Sequence, residues 1–154
     1  MPVSTQQIYF EDVRPGDEVP PLRKACTTQQ LVMWAGASGD FSPIHYDADF
    51  ARGTGLSGVI VQGGLKHACI GQLLHDWIAP AGVLRRWGCQ YRGMDYPNQD
   101  LVCHAVVTRA VEEDGEGLVD LDVWIENVDG KRTTLGTARV VLPRRPAPGE
   151  APRD

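Results

Sequence analysis

The clearest pattern of hydrophobic and polar positions along the chain is a strict alternation over residues 118–126. Its apolar members are Val119, Leu121, Val123 and Ile125. A period of two is that of a strand with one buried face. An Asp-Gly pair follows as a hairpin signal, which predicts a partner strand over 132–142. Because residues 84–94 and 100–111 carry further strand patterns, we predict at least four antiparallel strands.

Helical patterns precede these strands. Over Gly63–Ile78 the apolar side chains fall in two adjacent rows, which implies wide burial of the helix; the rows are Leu65, Cys69, Leu73, Trp77 and Ile70, Leu74, Ile78. A shorter helix begins at Thr27, whose spacing from Gln30 is that of a capping box, and Gly39 can end it. A third, very short helix is predicted after Asp47 as its N-cap.

One long apolar helix followed by antiparallel strands is typical of an α+β domain in which the sheet wraps around the helix. Neither an internal repeat nor a shift in composition marks a second domain. We therefore predict one domain over residues 1–142. Residues 143–154 have no apolar pattern and are predicted to form a disordered tail.

Composition and charge exclude several classes of function. The net charge of -5 comes from 20 acidic and 15 basic residues without a basic stripe, so we expect no nucleic-acid partner. No apolar run approaches the roughly 20 residues of a membrane span, and the first residues lack the pattern of a leader peptide. The four cysteines lack metal-ligand spacing and fit buried thiols in a reducing compartment. We therefore predict a cytoplasmic protein without membrane contact or metal site.

The stretch from Ser38 to Asp47 is the most informative for chemistry. Pro43 prevents a helix through its middle, so Asp40 and His45 are presented from an irregular loop that can aim both at one point. A carboxylate and an imidazole can share one water molecule, one taking its proton and the other orienting it. In a purely structural alternative, Asp40 is a turn residue and His45 a hydrogen-bonded, half-buried histidine.

The same stretch resembles the signature of the MaoC-like hydratases and dehydratases, S-G-D-x-N-P-[LIV]-H, which reads SGDFSPIH here. The likeness covers roughly residues 9–80 by motif. It implies a hot-dog fold and a hydro-lyase activity, the (R)-specific hydration of 2-enoyl thioesters or the reverse dehydration of (3R)-hydroxyacyl thioesters. In that family the aspartate and histidine of the motif hold and activate the catalytic water, and the matching positions are Asp40 and His45.

The resemblance also implies partners. The acyl group would be carried by coenzyme A or an acyl carrier protein, without a metal or redox cofactor. Hot-dog sheets join edge to edge, so we expect a homodimer, or a heterodimer with another hot-dog subunit.

The start of the long helix is a second candidate site. The resemblance implies that the backbone N–H of Gly63 binds the thioester carbonyl, and the first turn of any helix has unpaired N–H groups and a partial positive charge. Glycine at Gly63 and Gly64 would let an oxygen approach without a Cβ in the way, although the pair could also simply make a tight turn. Ser42 stands where the family usually has asparagine and joins the substrate-binding candidates, since its hydroxyl could support the loop.

Two alternative functions remain open from sequence. A hot-dog thioesterase would use a carboxylate to drive water onto the thioester carbonyl, and a non-catalytic subunit would only complete a partner's site. The basic side chains of Lys66, Arg85 and Arg86 could meet carrier phosphates or could be ordinary solvated surface charge.

Overall fold

A five-stranded antiparallel sheet and three α-helices make up residues 7–146, the part of the chain that the computed structural model describes. The elements follow one another as β1 (Glu18–Ala25), α1 (Thr28–Ser38), α2 (Ala48–Gly53), α3 (Gly63–Ile78), β2 (Val83–Tyr91), β3 (Asp100–Glu113), β4 (Glu116–Glu126) and β5 (Arg132–Leu142). Two short 3-10 turns, Phe10–Asp12 and Pro43–His45, complete them. The predicted bounds of the long helix are confirmed.

The sheet wraps around α3. Its strand order is β1-β3-β4-β5-β2, and α3 contacts all five strands. The inward side chains of β4 meet the apolar rows of α3 in one core, whose fully buried members include Leu121, Ile125, Ile70 and Leu74. The predicted α+β architecture, an antiparallel sheet around a long central helix, is therefore confirmed.

Helix α1 begins and ends as its sequence predicts. The Thr27 hydroxyl accepts a hydrogen bond from Gln30 N at 3.2 Å, and the Gln30 side chain accepts one from Thr27 N at 2.8 Å. At the other end Gly39 adopts the left-handed conformation with φ 78, which favours glycine. These two caps fix where the chain leaves the helix, one residue before Asp40.

Strand β1 was not counted among the predicted strands. Pro20 and Pro21 lie inside it, and proline lacks the N–H that a central strand must donate. The structure resolves this by placing β1 at an edge of the sheet, where it pairs only with β3 and shifts register between Val19 and Leu22.

The chain after β5 remains in contact with the N-terminal turn. Pro143 O accepts a hydrogen bond from Phe10 N at 2.9 Å, and Arg144 pairs with Glu11 at 3.2 Å. Residues 143–145 of the predicted tail thus contact the N-terminal turn, whereas residues 147–154 lie outside the described part. Within residues 7–146, none of the helices has the length and apolar character that a membrane crossing requires.

Gly136 offers a direct test of how tightly β2 and β5 pack. A Cβ on Gly136 would lie 2.1 Å from the backbone oxygen of Gly88, whereas a Cβ on Gly88 would meet nothing within 4 Å. We expect Gly136→Ala to lower the free energy of unfolding by more than about 2 kcal/mol, because backbone must shift. Gly88→Ala, the control on the facing strand, should change it by less than about 0.5 kcal/mol. Equal denaturation midpoints for both variants would contradict this packing.

Candidate active site

Asp40 and His45 project from the irregular loop between α1 and α2. Gly39 turns the chain out of α1, and Pro43 starts the 3-10 turn that ends at His45. The His45 side chain is 8% exposed, whereas the Asp40 side chain is 42% exposed. The loop therefore presents a buried imidazole beside a carboxylate that solvent can reach.

The structure brings these two side chains together. His45 Nε2 lies 3.6 Å from Asp40 Oδ2, which is longer than a direct hydrogen bond. Two atoms at this separation can each lie about 2.8 Å from one water oxygen. The geometry is thus suited to a shared water molecule.

A backbone carbonyl sets the chemistry of the imidazole. His45 Nδ1 lies 2.8 Å from Ile60 O, and a carbonyl can only accept, so Nδ1 carries the hydrogen. In the neutral ring the lone pair is then on Nε2, the nitrogen that faces Asp40. His45 is therefore arranged to accept a proton at the point where a shared water would lie.

Ile60 connects the loop of Asp40 and His45 to the start of α3. Its N–H donates to Ile44 O at 3.1 Å while its carbonyl holds His45. Gly63 follows three residues later, so its Cα lies within about 11 Å of that of Ile60. The imidazole and the first turn of α3 are thus connected by one short backbone segment.

Asp40 is oriented by backbone and side-chain hydrogen bonds within its own loop. Its Oδ1 accepts a long hydrogen bond from Ser42 N at 3.4 Å, and its N–H donates to Ser38 Oγ at 3.2 Å. Among the described residues the Ser42 hydroxyl makes no hydrogen bond. Ser42 thus supports the loop through its N–H, whereas the sequence suggested its hydroxyl.

The first turn of α3 is left without a side-chain cap. Gln62, the N-cap residue, is fully buried and donates its amide to Leu31 O of α1 at 2.7 Å. Among residues 7–146 no side chain caps the N–H groups at the start of α3, which keep the partial positive charge of a helix N-terminus. Such a terminus can stabilise an oxygen that becomes negative during a reaction.

Aromatic rings occupy the space where side chains at Gly63 and Gly64 would lie. A Cβ on Gly63 would lie 2.6 Å from the Tyr91 ring, and one on Gly64 would lie 3.2 Å from the Trp34 indole. The absent side chains therefore make room for two aromatic rings. Binding of an oxygen by the N–H groups of Gly63 and Gly64 stays a prediction.

Two of the three basic side chains considered for carrier phosphates pair with acidic side chains. Lys66 is 2% exposed and pairs with Asp95, and Arg85 pairs with Glu116. Burial rules out the phosphate hypothesis for Lys66, while Arg86 stays exposed on β2. No group of three or more histidine, cysteine or acidic side chains within residues 7–146 is gathered to hold a metal ion.

The sequence reasoning missed the contacts that position the predicted residues. The Ile60 carbonyl has no sequence signal, because every residue has a carbonyl group. Tyr91 and Trp34 approach the start of α3 from distant parts of the chain. The only sequence signal for these two contacts is the Gly63-Gly64 pair itself, because a missing side chain leaves room for a large ring.

A family model described as a MaoC-like domain matches residues 11–128, well over half of the chain. The chain belongs to this family. The match contains the Asp40–His45 loop and the whole of α3, so the site of this MaoC-like domain lies within the shared region.

Solved structures agree on the fold. An (R)-hydratase from A. caviae involved in PHA biosynthesis superposes with a TM-score of 0.78 at 22% identity, covering 86% of this chain and 99% of that one. The R-hydratase PhaJ1 from Pseudomonas aeruginosa gives 0.81 at 20% identity, with 96% of each chain covered. The ChsH1-ChsH2 complex from Mycobacterium tuberculosis gives 0.75 at 22%, covering 84% and 98%. This MaoC-like domain thus has the hot-dog fold.

Proposed function

We propose that the chain is an (R)-specific hydro-lyase that hydrates 2-enoyl thioesters of coenzyme A or an acyl carrier protein, or dehydrates the (3R)-hydroxyacyl products. The observation that carries the proposal is the 3.6 Å separation of Asp40 Oδ2 and His45 Nε2. The other nitrogen of the imidazole, Nδ1, donates its hydrogen to Ile60 O. Family membership supports the reaction class, and the resemblance of the SGDFSPIH motif implies the (R) stereochemistry.

In the hydration direction, Asp40 and His45 bind one water molecule. His45 Nε2 removes a proton as the water oxygen forms its bond to Cβ, and Asp40 orients the water by accepting its other hydrogen. The electron pair of the double bond moves to the thioester, whose oxygen becomes an enolate. The enolate collapses as Cα takes a proton back from the pair, so water adds across the double bond. Dehydration is the same path reversed.

The start of α3 would bind the thioester oxygen. The N–H groups of Gly63 and Gly64 point out of an uncapped helix terminus, and a negative oxygen gains most from donors that are already fixed. Ser42, next to the water site, completes the substrate-binding set in this proposal.

A second copy of the chain is the partner we propose for β2. Both edges of the sheet are unpaired in the single chain, but Pro20 and Pro21 obstruct pairing at β1. Strand β2 contains no proline and carries exposed Val83, Trp87 and Tyr91. Edge-to-edge pairing through β2 would give a dimer. A related hot-dog subunit could pair with β2 in the same way.

We also propose that the protein is located in the cytoplasm.

The reaction is tested with crotonyl-CoA. Wild-type protein should remove the enoyl absorbance without releasing thiol, and chiral analysis should identify the (R)-3-hydroxy product. Asp40→Asn keeps the shape of the side chain but removes its charge, so we expect kcat to fall by about 10²–10⁴-fold. The control Asp49→Asn makes the same change at a fully exposed position on α2 and should keep full activity.

Two other outcomes would reject the proposal. Release of free thiol at the rate of substrate loss would indicate a thioesterase. Inactivity of the purified chain on every enoyl thioester, with activity only after a partner subunit is added, would indicate a non-catalytic subunit.

The dimer is tested by solution mass and by hydrogen exchange. Light scattering should give twice the chain mass, and the amides of β2 should exchange slowly along the whole strand because both of its edges are hydrogen-bonded. Strand β1 is the internal control, since its outer edge should still exchange. A monomeric mass, or fast exchange of alternate β2 amides, would contradict pairing through this strand.

A further inference from the structure

A buried ion pair lies beneath the start of α3. Lys66 Nζ is 2.8 Å from Asp95 Oδ2, and the two side chains are 2% and 1% exposed. Removing two charges from water is costly, and apolar side chains of similar volume often serve stability as well or better. The fold alone therefore does not explain why charges occupy this position.

Hydrogen bonds extend the pair to three parts of the fold. Besides Asp95, the Lys66 ammonium donates to Gly93 O at 2.9 Å. The Thr133 hydroxyl at the start of β5 donates to the same Asp95 oxygen at 2.7 Å. The pair thus joins α3, the loop after β2 and strand β5.

Asp95 also holds the backbone that carries the candidate active site. Its carbonyl accepts a hydrogen bond from Val61 N at 2.8 Å. Val61 follows Ile60, whose carbonyl fixes His45, and precedes the first turn of α3. Asp95 therefore binds the segment next to Ile60 through its backbone carbonyl, and it binds the first turns of α3 through its ion pair with Lys66.

We propose that Lys66 and Asp95 are positioning residues that set the distance between the water site at His45 and the N–H donors at Gly63. This inference rests on the proposed hydratase function. Water adds at Cβ while negative charge develops on the thioester oxygen. The reaction therefore requires the water site at His45 and the N–H donors at Gly63 at the same time. A shift of about 1 Å between catalytic groups can lower a rate by 10²-fold.

Apolar replacement separates positioning from stability. Lys66→Met or Asp95→Leu alone leaves one buried charge unpaired, and each should lower the melting temperature by roughly 10 °C. The double variant removes both charges and should recover most of that loss. Its kcat with crotonyl-CoA should nevertheless stay at least about ten-fold below wild type, with KM within about three-fold. A double variant that recovers kcat together with the melting temperature would overturn the proposal.

An exposed ion pair provides the matched control. Arg23 and Asp100 are 3.2 Å apart with side chains 67% and 50% exposed. The double variant Arg23→Met and Asp100→Leu should leave kcat within about two-fold of wild type, because surface pairs contribute little. A comparable loss of kcat in this control would show that the effect is not specific to the buried pair.

A readout without catalysis keeps the two proposals distinguishable. Amide exchange over residues 60–65 should be faster in the Lys66→Met and Asp95→Leu double variant than in wild type, while the amides of β3 are unchanged. If the double variant does not fold, Thr133→Val, which removes one hydrogen bond to Asp95, should show the same local effect. Local loosening in a chain without hydratase activity would reject the proposed function but keep the positioning role. Unchanged exchange over residues 60–65 would overturn the positioning role itself.

Discussion

The hydrogen bond between His45 Nδ1 and the carbonyl of Ile60 is the contact on which the candidate site depends. It fixes the ring's orientation and its tautomer together, so that the lone pair is directed to Asp40. It also ties the imidazole to the backbone that enters α3. The imidazole and the start of α3 are therefore positioned by the same backbone segment.

The fold supplies that frame through α3. Its apolar rows are fixed inside the sheet, so its first turn is held in place. Helix α1 is fastened to that turn by the Gln62 amide and by the Trp34 ring against Gly64, and it delivers Asp40 at its far end. The helices and the central strands could be predicted from sequence. The period of α3, the capping box of α1 and the alternation in β4 are local preferences that agree with the packing of the whole fold.

The unpredicted features arise from distant contacts. Strand β1 contains two prolines and becomes a strand only because β3 offers it an edge. The burial of Lys66 could not be predicted, because its ion-pair partner Asp95 lies 29 residues later in the chain and no local pattern links the two. The sequence does not show that the Tyr91 and Trp34 rings pack against Gly63 and Gly64, because both rings come from distant parts of the chain. The motif predicts that Asp40 and His45 act together, whereas their 3.6 Å separation and the contact that sets the tautomer are visible only in the structure.

A high-resolution crystal structure of the wild-type protein would show whether one water molecule binds between His45 and Asp40. We expect one ordered water oxygen within about 3 Å of both His45 Nε2 and Asp40 Oδ2, with His45 Nδ1 still hydrogen-bonded to Ile60 O. A ring turned so that Nε2 meets Ile60 O, or a carboxylate and imidazole that share no ordered water, would contradict it.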